Sequence, residues 1–340
     1  MFDTFIQNHH LPNFRLKQLD QHFYQKLCQN FNEITTLPLD LRTKLSQEVE
    51  FSSLKLIKKL ISEKQDTRKY LFARTTDQKL IETVLMLHQD GRNTICVSCM
   101  IGCPVGCTFC ATGQMGFQGN LLAKEIVDQV LIIARELKAE DKIISNIVFM
   151  GMGEPLLNLK EVWQANQIFT SPEYMALSTS RITISTSGYA KQLEELTKLG
   201  YRGKLAISLH TAEQKKREQI MPIVAKSNPL PKLFKAIASF ENITNKRITY
   251  EYILIKDFND AAEAAEKLVK ILQGRLAHVN LIPYNEVKGV AYQKSTRNRI
   301  FAFSEYLTRY HINNTIRVTM GADVNAACGQ LAGFIPLPRQ

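Results

Sequence analysis

The sequence has no apolar run long enough to cross a membrane, no internal repeat and no low-complexity segment. A membrane-spanning helix needs about 20 consecutive apolar residues. The first residues, MFDTFIQNHHLPNF, also lack the basic start and apolar stretch of a secretory signal. We therefore expect a cytoplasmic, monomeric protein. Of its 340 residues, 45% are hydrophobic and 22% charged, which suits one large globular domain and a small one.

The cysteines lack the arrangement of a disulfide framework. Their number, seven, is odd, and no secretion signal accompanies them. Five of the seven lie between Cys96 and Cys110. This crowding indicates metal or redox chemistry in a reducing compartment.

Acidic residues are outnumbered, with 32 Asp and Glu against 43 Lys and Arg, a net charge of +11. Such an excess suits a polyanionic partner, because protein cations release counterions from a phosphate backbone. It equally suits a basic protein without such a partner. The Lys- and Arg-rich stretch from Ser53 to Lys79 is by default a solvated face, and alternatively a surface for a nucleic-acid backbone.

Two patterns divide the chain. Residues 1–90 have helical and linker-like patterns, whereas β-branched runs alternate with helical runs from about residue 94. The predicted strands are Thr94–Cys99, Asn146–Met150, Arg181–Thr186, Lys204–Leu209, Ile248–Leu254, His278–Pro283 and Thr315–Met320. Helices are predicted at Ala123–Leu137 and Ala261–Leu272, each with one apolar face. The alternation predicts an α/β fold with a parallel sheet, and six units fit a partial (β/α)6 barrel.

Unusual residues follow the predicted strands, at the C-terminal ends where such folds place their chemistry. They are the cysteine run, Gly151–Pro155, Ser185–Gly188, Ser208–His210, Tyr284-Asn285 and Cys328. This placement predicts one shared pocket.

Cys103, Cys107 and Cys110 have the spacing CxxxCxxC. Three thiolates on one loop can hold three irons of a [4Fe–4S] cluster. The fourth iron is then free to bind the amino and carboxylate groups of S-adenosylmethionine, as its reductive cleavage requires. The alternative is a structural zinc site, but such a site requires four ligands, usually in pairs that are closely spaced in the sequence. We favour the cluster.

The other motif residues are weaker signals. Glu154 follows glycines that allow close backbone approach, and its carboxylate can accept from an ammonium group; an ordinary turn is the alternative. Small polar groups at strand ends can bind a ribose, a carboxylate or an adenine, or can be structural. They are Ser185, Ser208, His210 and Asn285. Cys328 is either inert packing or a nucleophile.

Together these motifs resemble the RlmN/Cfr family of radical S-adenosylmethionine RNA methyltransferases. The resemblance rests on Cys96–Gly113, Met150–Pro155, Ser185–Gly188, Ser208–His210 and Ala326–Leu331, and it covers nearly the whole chain. Its implied division is a small N-terminal helical accessory domain and linker at 1–90, a candidate RNA contact. A radical S-adenosylmethionine barrel with a C-terminal extension carrying Cys328 would occupy 91–340.

The resemblance implies methylation of C2 of an adenosine in 23S rRNA near the peptidyl-transferase centre, and in some members of a tRNA adenosine beside the anticodon. A radical route suits C2, an electron-poor carbon that cannot attack a sulfonium methyl directly. The cofactors would be a [4Fe–4S] cluster and S-adenosylmethionine. Electrons would come from a donor such as a flavodoxin or ferredoxin.

By position, Cys328 would carry the methyl group, and a 5′-deoxyadenosyl radical would activate it. Cys96 would release the product by forming a disulfide with Cys328, and Glu82 would be the proton acceptor. The implied S-adenosylmethionine contacts are Gly153, Glu154, Ser185, Ser208, Leu209, His210 and Asn285.

Two alternatives stay open: C8 methylation of the same adenosine, an antibiotic-resistance activity, and a non-catalytic, metal-containing RNA-binding protein. The chain also departs from the family at Cys99-Met100, where Ser-Gln is commoner. We expect Cys99 to be a packed strand residue. A second thiol so near Cys103 nevertheless makes Cys96 a less secure resolving cysteine.

Overall fold

A ten-stranded sheet runs through the part of the chain that the computed structural model describes, residues 2–332. Its strands, in spatial order, are β1 (Leu54–Ile61), β2 (Thr67–Arg74), β3 (Leu80–Leu87), β4 (Asn93–Cys96), β7 (Asn146–Phe149), β8 (Ile182–Thr186), β9 (Lys204–Ser208), β10 (Ile248–Leu254), β11 (Ala277–Pro283) and β12 (Asn314–Ile316). A separate antiparallel pair consists of β5 (Met100–Gly102) and β6 (Phe117–Asn120).

Helices connect these strands. They are α1 (Asp3–Asn8), α2 (Asn13–Asp20), α3 (Leu39–Glu48), α4 (Ala111–Gln114), α5 (Ala123–Ala139), α6 (Leu159–Thr170), α7 (Ala190–Lys198), α8 (Gln214–Ile220), α9 (Pro222–Ser227), α10 (Leu230–Thr244), α11 (Ala262–Leu272) and α12 (Arg297–Arg309). Helix α5 shows how the sequence starts such an element. The Glu125 side chain accepts from the Leu122 N–H at 2.8 Å, which caps the first turn, and apolar residues then recur on the buried face.

From β4 to β12 every neighbouring pair of the main sheet is parallel. Helices α5, α6, α7, α10, α11 and α12 separate these strands, which gives six strand–helix units. Strands β1 and β12 end the sheet, so it does not close on itself. The predicted partial (β/α)6 barrel is confirmed. Strand β10 is buried along almost its whole length, as parallel strands covered on both faces are.

The helical prediction for residues 1–90 is correct for α1 to α3 and wrong for 54–87. There, β1, β2 and β3 are antiparallel and extend the barrel sheet through the pairing of β3 with β4. The basic residues in this stretch made the strands look solvent-exposed in the sequence. Most of these residues are in fact paired with carboxylates, so they can lie within a sheet. Lys69, for example, is 3% exposed and forms a 2.8 Å ion pair with Glu82.

Carboxylates tie part of the basic stretch to the fold, and its role as a nucleic-acid surface stays a prediction. Arg68 pairs with Glu136 and Glu140, and Arg74 pairs with Glu125. Within the stretch, Lys55 and Lys64 are exposed and form no ion pair. The default expectation of a fully solvated face is wrong for Arg68 and Arg74, because their ion pairs connect β2 to α5 and to the residue that follows α5.

Two predicted strands are shorter than expected. The first ends at Cys96 because the chain then leaves the sheet, and the Cys99 N–H donates to Met152 O at 2.9 Å. The last covers only Asn314–Ile316.

The domain boundary at residue 90 stays a prediction, and residues 333–340 of the proposed C-terminal extension lie outside the described range. Within that range, the helices are too short or too polar to span a bilayer.

The Arg74–Glu125 ion pair, 2.8 Å between Nε and Oε1, provides a test of how β2 is attached to α5. Arg74→Met leaves a carboxylate that is 2% exposed without its cation. We expect the free energy of unfolding, measured with urea, to fall by about 2 kcal/mol. In the matched control Arg92→Met, which breaks the exposed pair with Asp90, the change should stay below about 1 kcal/mol. Equal effects would contradict a specific role for the buried pair.

Candidate functional site

A cavity of about 900 Å³, partly open to solvent, lies at the C-terminal ends of the parallel strands. Its walls include Phe149, Ser185, Ser208, Ile253 and Ile282, from the ends of β7, β8, β9, β10 and β11. The shared pocket expected from strand-end residues is present.

Cys103, Cys107 and Cys110 all line this cavity. The loop that carries them is held by backbone hydrogen bonds, including Cys110 N–H to Cys107 O at 3.2 Å. Gly113 closes the loop: a Cβ there would lie 2.9 Å from the Cys107 nitrogen, so no side chain fits. Local turn geometry thus directs three thiols into one space.

The three thiols suit a cluster better than a zinc ion. Within residues 2–332, no three Cys, His, Asp or Glu side chains gather around a single ion, whereas a structural zinc requires four ligands at about 2.3 Å or less. Burial raises the pKa of Cys103 to about 12 and also raises that of Cys107. Bound iron reverses this preference, since a coordinating thiol is deprotonated.

Glu154 supplies a buried carboxylate in the same cavity; it is 3% exposed. Its Oε2 accepts from the N–H and the hydroxyl of Ser187, both at 2.7 Å, and Oε1 accepts from Leu156 N–H at 3.1 Å. Burial raises the pKa of Glu154, and these hydrogen bonds oppose the rise. Gly153, with φ of +106°, lets the loop pass Met100, where a Cβ would clash at 2.6 Å.

His210 is a neutral hydrogen-bonding group. Burial lowers its pKa to about 3, with a further contribution from the charge of Arg217. Its Nδ1 accepts from Ile253 N–H at 3.2 Å, which places the ring proton on Nε2 as a donor. Its ring also meets Phe109 edge-on, with centroids 4.9 Å apart. Ser185 and Ser208 line the cavity beside it.

Two predicted contacts lie behind the wall rather than on it. Leu209 is fully buried, and its N–H donates to Glu251 O at 3.1 Å. The Asn285 amide donates to Cys328 O at 3.1 Å and accepts from the Thr319 hydroxyl at 3.3 Å. In this arrangement Asn285 holds the Cys328 segment.

Cys328 lines the main cavity although it lies far along the chain from the cysteine loop. It also borders an adjoining cavity that it shares with Cys96 and Cys110. Both Cys96 and Cys328 are free thiols, and burial raises the pKa of Cys96 to about 12. The structure therefore brings the predicted carrier and the predicted resolving cysteine together.

Glu82 is next to this second cavity without lining it. Its carboxylate is 1% exposed, pairs with Lys69 and accepts from Ala332 N–H at 2.9 Å. Val84, two residues after Glu82, and Leu331, the neighbour of Ala332, do line the cavity. Its predicted role as proton acceptor stays a prediction.

Sequence reasoning missed two charged residues that line the cavity, Glu251 and Arg317. Arg317 borders both cavities. The pKa of Arg317 is raised, and the electrostatic interaction with Cys328 is the largest cause. Arg317 follows β12, where its N–H donates to Leu281 O at 2.8 Å. It lies inside the predicted strand Thr315–Met320, whereas the observed strand ends at Ile316, so nothing in the sequence indicated that Arg317 follows a strand.

Cys99 is packed in the core, as expected, though just beyond the strand rather than within it. It is 2% exposed, and its carbonyl accepts from Leu121 N–H and the Asn158 amide. It does not border the cavity that the three loop cysteines share.

Known proteins resemble this chain over almost its full length. Residues 97–269 match the radical SAM superfamily. The probable dual-specificity RNA methyltransferase RlmN of Syntrophomonas wolfei is 41% identical, over 94% of this chain and 91% of that protein. A relative of the same name from Thermus thermophilus is 41% identical, over 96% of this chain and 90% of that protein. The crystal structure of a radical SAM methyltransferase from Sphaerobacter thermophilus superposes with a TM-score of 0.93 and 36% identity, covering 97% of this chain and 96% of that one.

The cysteine loop predicts a clear difference among single replacements. Cys107→Ala should abolish the brown colour and reduce bound iron, from about four per chain, in anaerobically purified protein. Cys99→Ala and Cys28→Ala remove buried thiols that do not line the cavity, so both should keep wild-type iron. Iron loss in Cys99→Ala together with retention in Cys107→Ala would overturn the ligand assignment.

Proposed function

Because this chain belongs to the RlmN family of radical S-adenosylmethionine RNA methyltransferases, we propose that it methylates C2 of an adenosine in 23S rRNA near the peptidyl-transferase centre and of a tRNA adenosine beside the anticodon. The enzymes of this superfamily use a [4Fe–4S] cluster and S-adenosylmethionine. The dual-specificity name of the relatives supports the choice of two RNA substrates. An electron donor such as a flavodoxin or ferredoxin completes the proposal.

One observation carries this function: Cys328 borders the same cavity as the three loop cysteines and a second cavity with Cys96. Cys103, Cys107 and Cys110 would hold the cluster, which when bound supplies the electron that cleaves S-adenosylmethionine. The other strand-end groups then have distinct tasks.

Glu154 would accept a hydrogen bond from the ammonium group of S-adenosylmethionine. Its three hydrogen bonds fix its orientation before the ligand arrives. Ser185, Ser208 and the His210 Nε2–H would orient the ribose and adenine. Because His210 is uncharged, it adds no positive charge beside the sulfonium.

Cys328 would act as the methyl carrier. Its thiolate would first attack the methyl group of one S-adenosylmethionine, so that a new S–C bond forms and S-adenosylhomocysteine leaves. A 5′-deoxyadenosyl radical from a second S-adenosylmethionine would then take a hydrogen atom from that methyl group and leave as 5′-deoxyadenosine. The carbon radical would add to C2 of the adenine, and the adduct would return one electron to the cluster. The base is now joined to Cys328 through a methylene group.

Cys96 would release the product. Its thiolate would attack the Cys328 sulfur, so that an S–S bond forms and the S–C bond breaks. The methylene group left on the base would gain a proton and become the methyl group. Glu82, in the strand beside Cys96, would take the C2 proton. To reach the cavity, the adenine must leave its stack, which favours a loop or other unpaired RNA.

The activity itself is tested by digestion and mass spectrometry of RNA from cells with and without this protein. We expect 2-methyladenosine in 23S rRNA, and in tRNA, to depend on its presence. Finding only 8-methyladenosine would replace the proposed position, and unchanged RNA would refute the activity.

The two cysteine roles predict opposite defects. Cys328→Ala should still cleave S-adenosylmethionine but methylate no RNA, because the methyl group has no carrier. Cys96→Ala should accumulate a covalent protein–RNA adduct, visible as a shifted band on a denaturing gel. Cys28→Ala, a buried thiol remote from both cavities, should behave as wild type. Methylation by Cys328→Ala would rule out the carrier role, and normal turnover by Cys96→Ala would move suspicion to Cys99.

A further inference from the structure

Arg217, on α8, is the largest fully buried side chain within residues 2–332, with none of its surface exposed. Its Nη2 donates to Ser187 O, whereas Nε and Nη1 have no hydrogen-bond partner among the described residues. No carboxylate within that range forms an ion pair with it. The nearby Glu213 is already paired with Lys216 and Lys267.

Such an arrangement is unfavourable for a protein alone, because a buried charge is costly unless an opposite charge compensates for it. A guanidinium is protonated at any ordinary pH, so loss of a proton does not relieve the cost. The described structure therefore has a buried cation whose counter-charge is absent from the protein's own carboxylates.

The acidic group in electrostatic interaction with the guanidinium is the thiol of Cys107, on the loop that packs against the end of α8. The neighbouring His210 is neutral and supplies no negative charge. Arg217 does not line the main cavity, so its charge acts through the protein instead of by contact with S-adenosylmethionine. The cluster loop packs on the same helix end, where Thr108 N–H donates to Ile220 O at 3.0 Å.

We propose that Arg217 is the buried counter-charge of the iron–sulfur site, a positioning residue that raises the reduction potential of the cluster. The inference rests on the assignment of Cys107 as a ligand. Three thiolates outweigh the positive charge of an oxidised [4Fe–4S] core, and reduction adds a further negative charge. A fixed cation next to the site favours the reduced state for that reason.

The test measures the reduction potential of reconstituted Arg217→Met in the absence of S-adenosylmethionine. We expect the equilibrium constant for one-electron reduction of the cluster to fall about tenfold. This fall corresponds to a reduction potential more negative by ~59 mV. Arg217→Lys keeps the charge and should lie closer to wild type.

The matched control is Arg135→Met. Arg135, on α5, is also a buried arginine with an unpartnered Nη2, and it packs over Phe23 and Phe51. The acidic groups that act on it are Cys28, Asp128 and Glu33, none of them a cysteine of the cluster loop. Its replacement should leave the potential unchanged. A potential that is unchanged in Arg217→Met with wild-type iron content, or one that shifts equally in Arg135→Met, would overturn the proposal.

The cluster-free protein gives an independent readout. If the counter-charge is the cluster, Arg217 is uncompensated without it, so apo Arg217→Met should melt at the same temperature as apo wild type or higher. A lower melting temperature would show a structural role and contradict the proposal. Failure of the ligand assignment has a different signature, namely iron retained in Cys107→Ala.

Discussion

The site depends on how the segment that carries Cys328 is fixed against the cysteine loop. Ala111 N–H donates to Gly329 O at 2.8 Å, and the Thr112 hydroxyl donates to Leu331 O at 2.6 Å. These bonds join the residues that follow Cys110 to those that follow Cys328. Because every partner lies within three residues of one of these cysteines, a change in either loop shifts the other as well. The proposed chemistry needs this fixed separation, since each sulfur must reach the same ligand.

The polar groups of the cavity are neutral or already paired, with few exceptions. Glu154 is held by Ser187 and Leu156, and His210 is neutral. Arg217 and Arg317 are the cations near the cavity, one behind its wall and one on it. Negative charge introduced by a cluster and positive charge introduced by a sulfonium would therefore meet a prearranged environment. Prearranged charge costs no reorganisation when the reaction occurs.

Much of this architecture could be predicted from the sequence, because the relevant patterns are local. Strand–helix alternation and the CxxxCxxC spacing are read within short windows, and both predictions agree with the fold. Strands β1 to β3 were missed because Lys69 and Arg74 are buried by carboxylates distant in sequence. Arg217 was missed for a related reason: on a polar helix surrounded by charged residues, nothing local distinguishes a buried arginine from a solvated one.

The role of Cys328 as a covalent carrier is the central claim. It is tested most directly by incubating the protein with S-adenosylmethionine labelled in its methyl group and following the label by peptide mass spectrometry. The account predicts label on the peptide containing Cys328 before RNA is added, and its transfer to adenosine afterwards under reducing, anaerobic conditions. Label that reaches RNA without ever residing on Cys328 would contradict it.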